Sequence, residues 1–311
     1  MPNETSGNNA GRASVLSNHY EAHSKAESYD KAYFYEPGAY MEHLATLVKE
    51  RLQLTRQQEQ QHTPQPSRCI LDIGGGTGTF AHALMQNDNF NSRVVVVEPF
   101  LDPSIVESPA TGKDGTVVSF VKASAEDFLH PPYHDCWRTQ LAGGGGYDQI
   151  LVKEVVHHFK DEDRVGIFRG MREGVRESSL SETNNMPSLL IVTRPQIDID
   201  YPLWDAARTV WKNNQPSAED LEADLRAAGY SHLESTIEPI ECTISLSRWQ
   251  AMVKSRCWST FSNFTDGELE EACVVIAEDA SRDPRNFRSK SEDNDELILR
   301  FEDRLIFLAA S

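Results

Sequence analysis

The sequence predicts an α/β protein built on a doubly wound, mostly parallel sheet, and three observations carry that prediction. Short β-branched apolar runs recur along the chain, longer amphipathic stretches separate them, and a glycine-rich turn follows directly on the first run. Strands joined through helices need crossover connections, which place helices on both faces of a parallel sheet. The runs are CILDI from Cys69, RVVVVEPF from Arg93, VVSFVKAS from Val117, DQILVKEV from Asp148 and SLLIVTR from Ser188. A sixth strand is expected around Leu233 to Ile240 and a last one in LRFEDRLIFLAA from Leu299, which makes a seven-stranded sheet.

The segments around these strands read as follows. Residues 1–17 are polar and hold too little apolar surface to offset the entropy of ordering, so a disordered tail is expected. Over 18–55 the pattern is helical, with Tyr29, Tyr33, Phe34, Tyr40, Leu44, Leu47 and Val48 on an apolar face, the pattern of N-terminal lid helices. Residues 56–67, RQQEQQHTPQPS, form a polar linker that its prolines keep out of helix. The main domain then runs over 68–311. Gly143 to Gly146 read as a flexible surface loop, and PSAEDLEADLRAAGY as a helix with Ser217 at its N-cap and Gly229 closing it. A helical insertion at about 242–293 interrupts the sheet and is expected to cap the active face.

The chain has 30 Lys and Arg against 48 Asp and Glu, a net charge of −18. Such a field repels phosphate backbones and anionic bilayers, so neither nucleic acid nor membrane is expected as a partner. No apolar run is long enough for a membrane span, and MPNETSGNNAGRAS lacks the order of a signal peptide. A cytoplasmic or organelle-stromal protein is expected, not a secreted one. The five cysteines are odd in number and include no CxxC pair, which predicts reduced thiols and no metal site. Oligomeric state is left open.

The most informative segment is Leu71-Asp72-Ile73-Gly74-Gly75-Gly76-Thr77-Gly78-Thr79-Phe80. Glycines let the backbone turn tightly and approach a ligand where any side chain would block it. A dinucleotide site prefers GxGxxG, whereas Gly74, Gly76 and Gly78 are spaced GxGxG with an acid two positions ahead. Asp72 would repel a diphosphate but orient an ammonium, so a zwitterionic or cationic ligand is expected. A second acid, Glu98, ends the strand RVVVVE, where a carboxylate can accept both hydroxyls of a ribose.

LDIGGGTGTF, VVVVEPF, KASAEDF and YDQILVKEVVHHF, in that order, resemble the successive cofactor motifs of class I S-adenosylmethionine-dependent methyltransferases of the small-molecule type. The match covers about residues 68–195. The resemblance implies a Rossmann-like domain, S-adenosylmethionine as cofactor, and donor contacts from Asp72, Gly74, Gly75, Gly76, Gly78, Glu98, Pro99 and Lys153. The segment after the third strand cradles adenine in that family, often with Asp followed by Ala. Here Ser124 stands in place of the acid, followed by Ala125 and Glu126, so the contact to the adenine amine is either missing or supplied by Glu126 or Asp127. Tyr29-Asp30-Lys31-Ala32-Tyr33 resembles the family's lid helix, which places Tyr29 and Tyr33 against the methionine part of the donor.

A sulfonium donor is reactive by itself, so the protein has chiefly to align the acceptor and exclude water. A base matters where the acceptor loses a proton, as an alcohol or ammonium does, and His157 is the candidate. Lys153 stands at a strand tip, placed to meet an anionic acceptor or to pair with Glu154; His158 neighbours it, and Arg194 ends the fifth strand. An Arg fork suits a carboxylate, and Trp204, Arg256 and Trp258 add a cation and aromatic walls suited to a sulfonium product. These point to a small carboxylate-bearing acceptor, with S-methylation of a thioether acid such as 4-methylthio-2-hydroxybutyrate as the leading expectation. O- or N-methylation of another small metabolite and a non-catalytic donor-binding scaffold are the alternatives. His130-Pro131-Pro132-Tyr133 resembles the Pro-Pro-Tyr motif of methyltransferases acting on nitrogen in nucleic acids or proteins, but it precedes the fourth strand and is read as a turn.

Overall fold

The computed structural model describes residues 39–54, 68–85, 93–101, 110–111, 117–129, 146–176, 179, 186–290 and 295–311. The tail over 1–17, the linker over 56–67, Tyr29, Tyr33, the Pro131-Pro132-Tyr133 turn, Cys136 and Gly143 to Gly145 lie outside them. Of the helices expected over 18–55, α1 (Ala39–Arg51) is described.

The chain divides into two compact units. The larger comprises 41–196, 215–239 and 304–311, and the smaller, among described residues, comprises 39–40, 197–214 and 240–303. The sheet runs β3 (Ala110–Thr111), β4 (Val117–Val121), β2 (Arg93–Val97), β1 (Cys69–Ile73), β5 (Gln149–Lys153), β6 (Leu189–Thr193), β9 (Asp295–Ala310), β7 (Leu233–Ser245). A ninth strand, β8 (Phe287–Lys290), pairs with the start of β9. The five central strands are parallel, with Ile73 opposite both Val97 and Val152. β9 runs antiparallel to β6, from Thr193 opposite Ile306 to Leu189 opposite Ala310.

Strand alternation sorts the apolar residues. Leu71, Ile73, Val95, Val97, Ile150, Val152, Leu189 and Ile191 share one buried cluster with Ile167, Phe168 and Met171 of α3 (Asp161–Gly174). Leu221 and Leu225 of α5 (Ala218–Ala227) complete it. Each fully buried side chain of this size contributes about 1.5–3 kcal/mol. The opposite face carries Ile70, Asp72, Val94, Val96, Leu151 and Lys153, and β1 is continued by the glycine turn and α2 (Thr79–Met85). Ser217 caps α5 by accepting from the Asp220 amide, and Gly229, with φ +101°, follows its end.

The smaller unit contains α4 (Asp205–Asn214), α6 (Leu246–Lys254), a 3₁₀ turn over Ser259–Asn263 and α7 (Asp266–Arg282). α7 begins in a capping box in which Thr265 and Glu268 satisfy each other's backbone amides. Its core is aromatic: Trp258 lies 4.9 Å from Tyr201, 5.4 Å from Trp249 and 5.6 Å from both Trp211 and Phe261, centroid to centroid. Asp303, fully buried, accepts hydrogen bonds from the hydroxyls of Tyr40 and Tyr201.

Among the described residues the sheet has nine strands where seven were expected. β3 and β8 are short additions, and the two late strands are longer than their apolar runs. β7 continues through Glu241-Cys242-Thr243-Ile244-Ser245, where burial still alternates with period two, and β9 starts at Asp295 instead of Leu299. The helical pattern of the insertion is present as α6 and α7, but the segment 242–293 opens inside β7 and contains β8. Cys69, Cys242, Cys257 and Cys273 are buried thiols outside any disulfide; burial pushes Cys69 up to about 11 and Cys257 up to about 12.

Among the described residues no helix is long and apolar enough to cross a membrane.

Candidate functional site

The site is built where β1 ends. The Gly74 amide donates to Val97 O at 2.8 Å, extending the β1–β2 ladder by one bond, and the Gly78 amide donates to Gly75 O at 3.0 Å before α2 begins. Gly74, Gly76 and Gly78 have φ of +71°, +56° and +80°, the left-handed region that excludes most side chains. A Cβ on Gly74 would lie 2.6 Å from Val155, one on Gly75 2.5 Å from an Asp72 carboxylate oxygen, and one on Gly78 2.6 Å from Phe120. A Cβ on Gly76 meets nothing within 4 Å, so the turn is packed from below and open at Gly76.

Asp72 is 1% exposed, and neither carboxylate oxygen has a hydrogen-bond partner among the described residues. Burial pushes it up to about 7; Lys153 pulls it back down, and Glu98 raises it further. A buried acceptor without a donor is costly unless something else supplies one. Glu98 is held differently: it accepts from the Gly76 amide at 3.3 Å and the Phe100 amide at 3.1 Å across the Pro99 turn. Burial raises the Glu98 carboxyl, and those two amides oppose the rise. With two lone pairs on each oxygen, the carboxylate keeps capacity to accept further bonds.

Register places these charges on one face. Asp72 is opposite Val96 and Leu151, and Glu98 and Lys153 each stand two residues further on. Side chains two apart point the same way, so Asp72, Glu98 and Lys153 share a face, Glu98 on the β2 side and Lys153 on the β5 side. The Lys153 ammonium sits over the Phe80 ring, 5.0 Å from its centroid.

The adenine segment is a 3₁₀ turn over Ala125–Leu129, with Ala125 in the core. The Ser124 amide donates to the Asp127 carboxylate at 2.7 Å, which commits Asp127 to capping and leaves Glu126, partly buried, as the remaining acid. His157 and His158 occupy another 3₁₀ turn, Val156–His158, directly after β5, both partly buried, with ring centroids 3.9 Å apart.

Arg194 departs from expectation. It is buried and forms an ion pair at 2.9 Å with Glu154, a partly buried residue with a buried side chain and φ +55°. The β5–β6 ladder continues through the Glu154 amide to Val192 O, which brings the two strand tips together and gives the guanidinium a protein carboxylate in place of a substrate's. Of the two expectations for Lys153, an anionic acceptor or Glu154, the second meets a carboxylate already paired with Arg194. The remaining substrate candidates fall in the smaller unit. Arg256 pairs with Asp266 at 2.7 Å and donates to Phe264 O. Trp258 is 6% exposed at the centre of the aromatic core, its ring stacked on Phe261, so its packing is that of a core residue. Trp204 stacks on Phe261 and meets Phe264 edge-on.

Three residues that shape the site were not singled out from sequence: Phe80 beneath Lys153, Phe120 against Gly78, and Val155 against Gly74. Strand alternation carries a signal for Phe120, which faces the same way as Val96 and Asp72. Phe80 and Val155 owe their roles to tertiary approach.

No family model matches the chain, and no curated protein matches it. Among solved structures, the cyclopropane synthase MmaA2 from Mycobacterium tuberculosis is similar with a TM-score of 0.51 and 13% identity, over 96% of this chain and 98% of that one. Mycolic acid cyclopropane synthase CmaA1, in a structure complexed with SAH and CTAB, is similar with a TM-score of 0.51 and 12% identity over the same shares. The chain has the fold of the class I S-adenosylmethionine-dependent methyltransferases, the class of both synthases.

Proposed function

We propose that the chain is a transferase that binds S-adenosylmethionine and passes its methyl group to a small molecule. The observation that carries this reading is the buried, donorless Asp72 carboxylate beneath an open glycine turn. That site asks for a cation with hydrogen-bond donors. An α-ammonium answers it, and Glu98 on the β2 side is placed to accept from ribose hydroxyls. The CmaA1 structure of the same fold holds SAH.

When bound, S-adenosylmethionine supplies an electrophilic methyl group on a sulfonium. The chain's own part is to hold and orient. Asp72 receives the ammonium, the Gly76 amide keeps Glu98 in place before any ligand arrives, and Glu126 beside Ser124 and Ala125 serves the adenine end. His157, at the tip of β5, accepts the proton of an alcohol or ammonium acceptor; a thioether needs no such step. Tyr29 and Tyr33, and the tail, lid and linker divisions, belong to the same proposal.

The acceptor reading narrows differently. Arg194 and Arg256 are engaged by Glu154 and Asp266, so a carboxylate-bearing acceptor, and with it 4-methylthio-2-hydroxybutyrate, rests on Lys153. Titration calorimetry with S-adenosylmethionine and S-adenosylhomocysteine tests the donor half, and absence of binding to either overturns it. Release of S-adenosylhomocysteine across a panel of thioether acids, amines, alcohols and phenols tests the acceptor half. Turnover of the thioether acid supports S-methylation, turnover of another class supports O- or N-methylation, and binding with no turnover supports the scaffold.

A further inference from the structure

We propose that the buried ion pair between Glu154 and Arg194 is a positioning device for the glycine turn: it holds residue 154 in a left-handed conformation, and through Val155 that conformation sets the place of Gly74. The inference rests on the donor reading above and adds two residues that act on ligand binding without touching the ligand.

Three observations carry it. First, Glu154 has φ +55°, a region that residues with a Cβ seldom occupy, and such residues persist where their surroundings over-determine them. Here the hold is double. The Glu154 amide donates to Val192 O at 2.7 Å, and the carboxylate meets the Arg194 guanidinium at 2.9 Å, with the two side chains 7% and 8% exposed. A glycine at 154 would reach the same backbone angle freely and leave it as freely, whereas a carboxylate anchored at the tip of β6 fixes it.

Second, the turn delivers Val155 onto the glycine turn. A Cβ on Gly74 would lie 2.6, 2.7 and 2.8 Å from Val155 Cγ2, Cβ and Cγ1, so Val155 fills the space a side chain at 74 would need. Gly74 is tied to β2 through Val97 O, and Gly76, two residues on, donates to Glu98. Contact therefore runs unbroken from Arg194 through Glu154, Val155 and the glycine turn to Glu98. The same residue leads into the turn that carries His157 and His158, where the His158 amide donates to Val155 O at 2.8 Å. Third, the route is packing and not charge, because the charged groups that act on Asp72 are Lys153 and Glu98.

A chain of contacts is a coupling only if its ends respond together, which a mutant cycle measures. S-adenosylhomocysteine is titrated into each full-length variant by calorimetry, and melting temperatures are recorded beside the affinities. Arg194→Met/Glu154→Leu, which removes both charges at once, is expected to weaken binding about tenfold, and Val155→Ala to weaken it comparably. Adding Val155→Ala to the double variant is expected to cause little further loss, since the pair acts through that side chain. Arg194→Lys, which keeps a cation beside Glu154, is expected to retain most of the affinity. A merely structural pair lowers the melting temperature and leaves the affinity of the folded protein alone. Wild-type affinity in the double variant therefore overturns the proposal, as does a loss in the triple variant equal to the product of the two separate losses. Val155→Ala leaves both charges in place and reports even where the charge variants do not fold; wild-type affinity there overturns the proposal and leaves the donor reading standing. A wild-type protein that does not bind S-adenosylhomocysteine overturns both.

Discussion

At the scale of single residues, the site is governed by the cost of keeping Asp72 charged. Burial lifts its carboxyl to about 7 from an ordinary 3.8, so below neutrality the ligand-free protein holds it protonated and neutral. An ammonium ligand needs the ionised form. Affinity for S-adenosylhomocysteine is therefore expected to fall as pH drops below 7, approaching tenfold per unit, in titrations between pH 5.5 and 8.5. Folding carries the opposite sign. A raised carboxyl means the folded chain binds the proton more tightly than the unfolded one, so stability from this group is lost as pH rises from about 4 through 7. Asp72→Asn is expected to raise the melting temperature of the ligand-free protein at pH 8 while weakening the ligand. Both acids were legible in the sequence, because an acid at a strand tip beside glycines has a chemical reason to be there. The fate of Arg194 was not legible: a fork that suits a substrate carboxylate suits Glu154 equally, and the choice depends on the left-handed turn at Glu154 that brings the two strand tips together.

At the scale of elements, the glycine turn separates packing from binding. Gly74→Ala and Gly78→Ala each add a Cβ 2.6 Å from a neighbouring side chain in a left-handed conformation, with an expected cost of about 2–4 kcal/mol in urea unfolding. Gly76→Ala meets open space, so it is expected to cost only about 1–2 kcal/mol of stability while weakening S-adenosylhomocysteine strongly. The join between β5 and β6 makes a second prediction. Arg194→Met removes the guanidinium from buried Glu154 and is expected to cost about 3–5 kcal/mol, much of it recovered when Glu154→Leu is added. The parallel strands were legible because fully buried strands read as continuous β-branched runs, as RVVVV does. β8 was not: Phe287-Arg288-Ser289-Lys290 has no alternation of its own and becomes a strand by pairing with β9. The aromatic stripe of the smaller unit was ambiguous in the sequence, since rings at helical spacing serve a core and a pocket alike; centroid distances near 5.5 Å around Trp258 decide for core.

At the scale of the whole molecule, the chain passes between its two units at 40–41, 196–197, 214–215, 239–240 and 303–304, so neither is a contiguous fragment. The last eight residues belong to the larger unit, where β9 fills the place between β6 and β7. Leu305, Ile306, Phe307 and Leu308 are all buried there, worth together about 6–12 kcal/mol, which is comparable to the whole stability of an ordinary domain. A chain stopped after Asp303 is expected to show no cooperative thermal transition in calorimetry, although it keeps Asp72, the glycine turn, Glu98 and Lys153. The position of β9 also sets an order of events during synthesis. The glycine turn and its acids leave the ribosome early, yet among the described strands β6 has an open edge and β7 lacks its neighbour until β9, Asp295–Ala310, has emerged. The growing chain thus carries its ligand-holding residues long before β9 is made, and the β6–β9–β7 end of the sheet stays open throughout that interval.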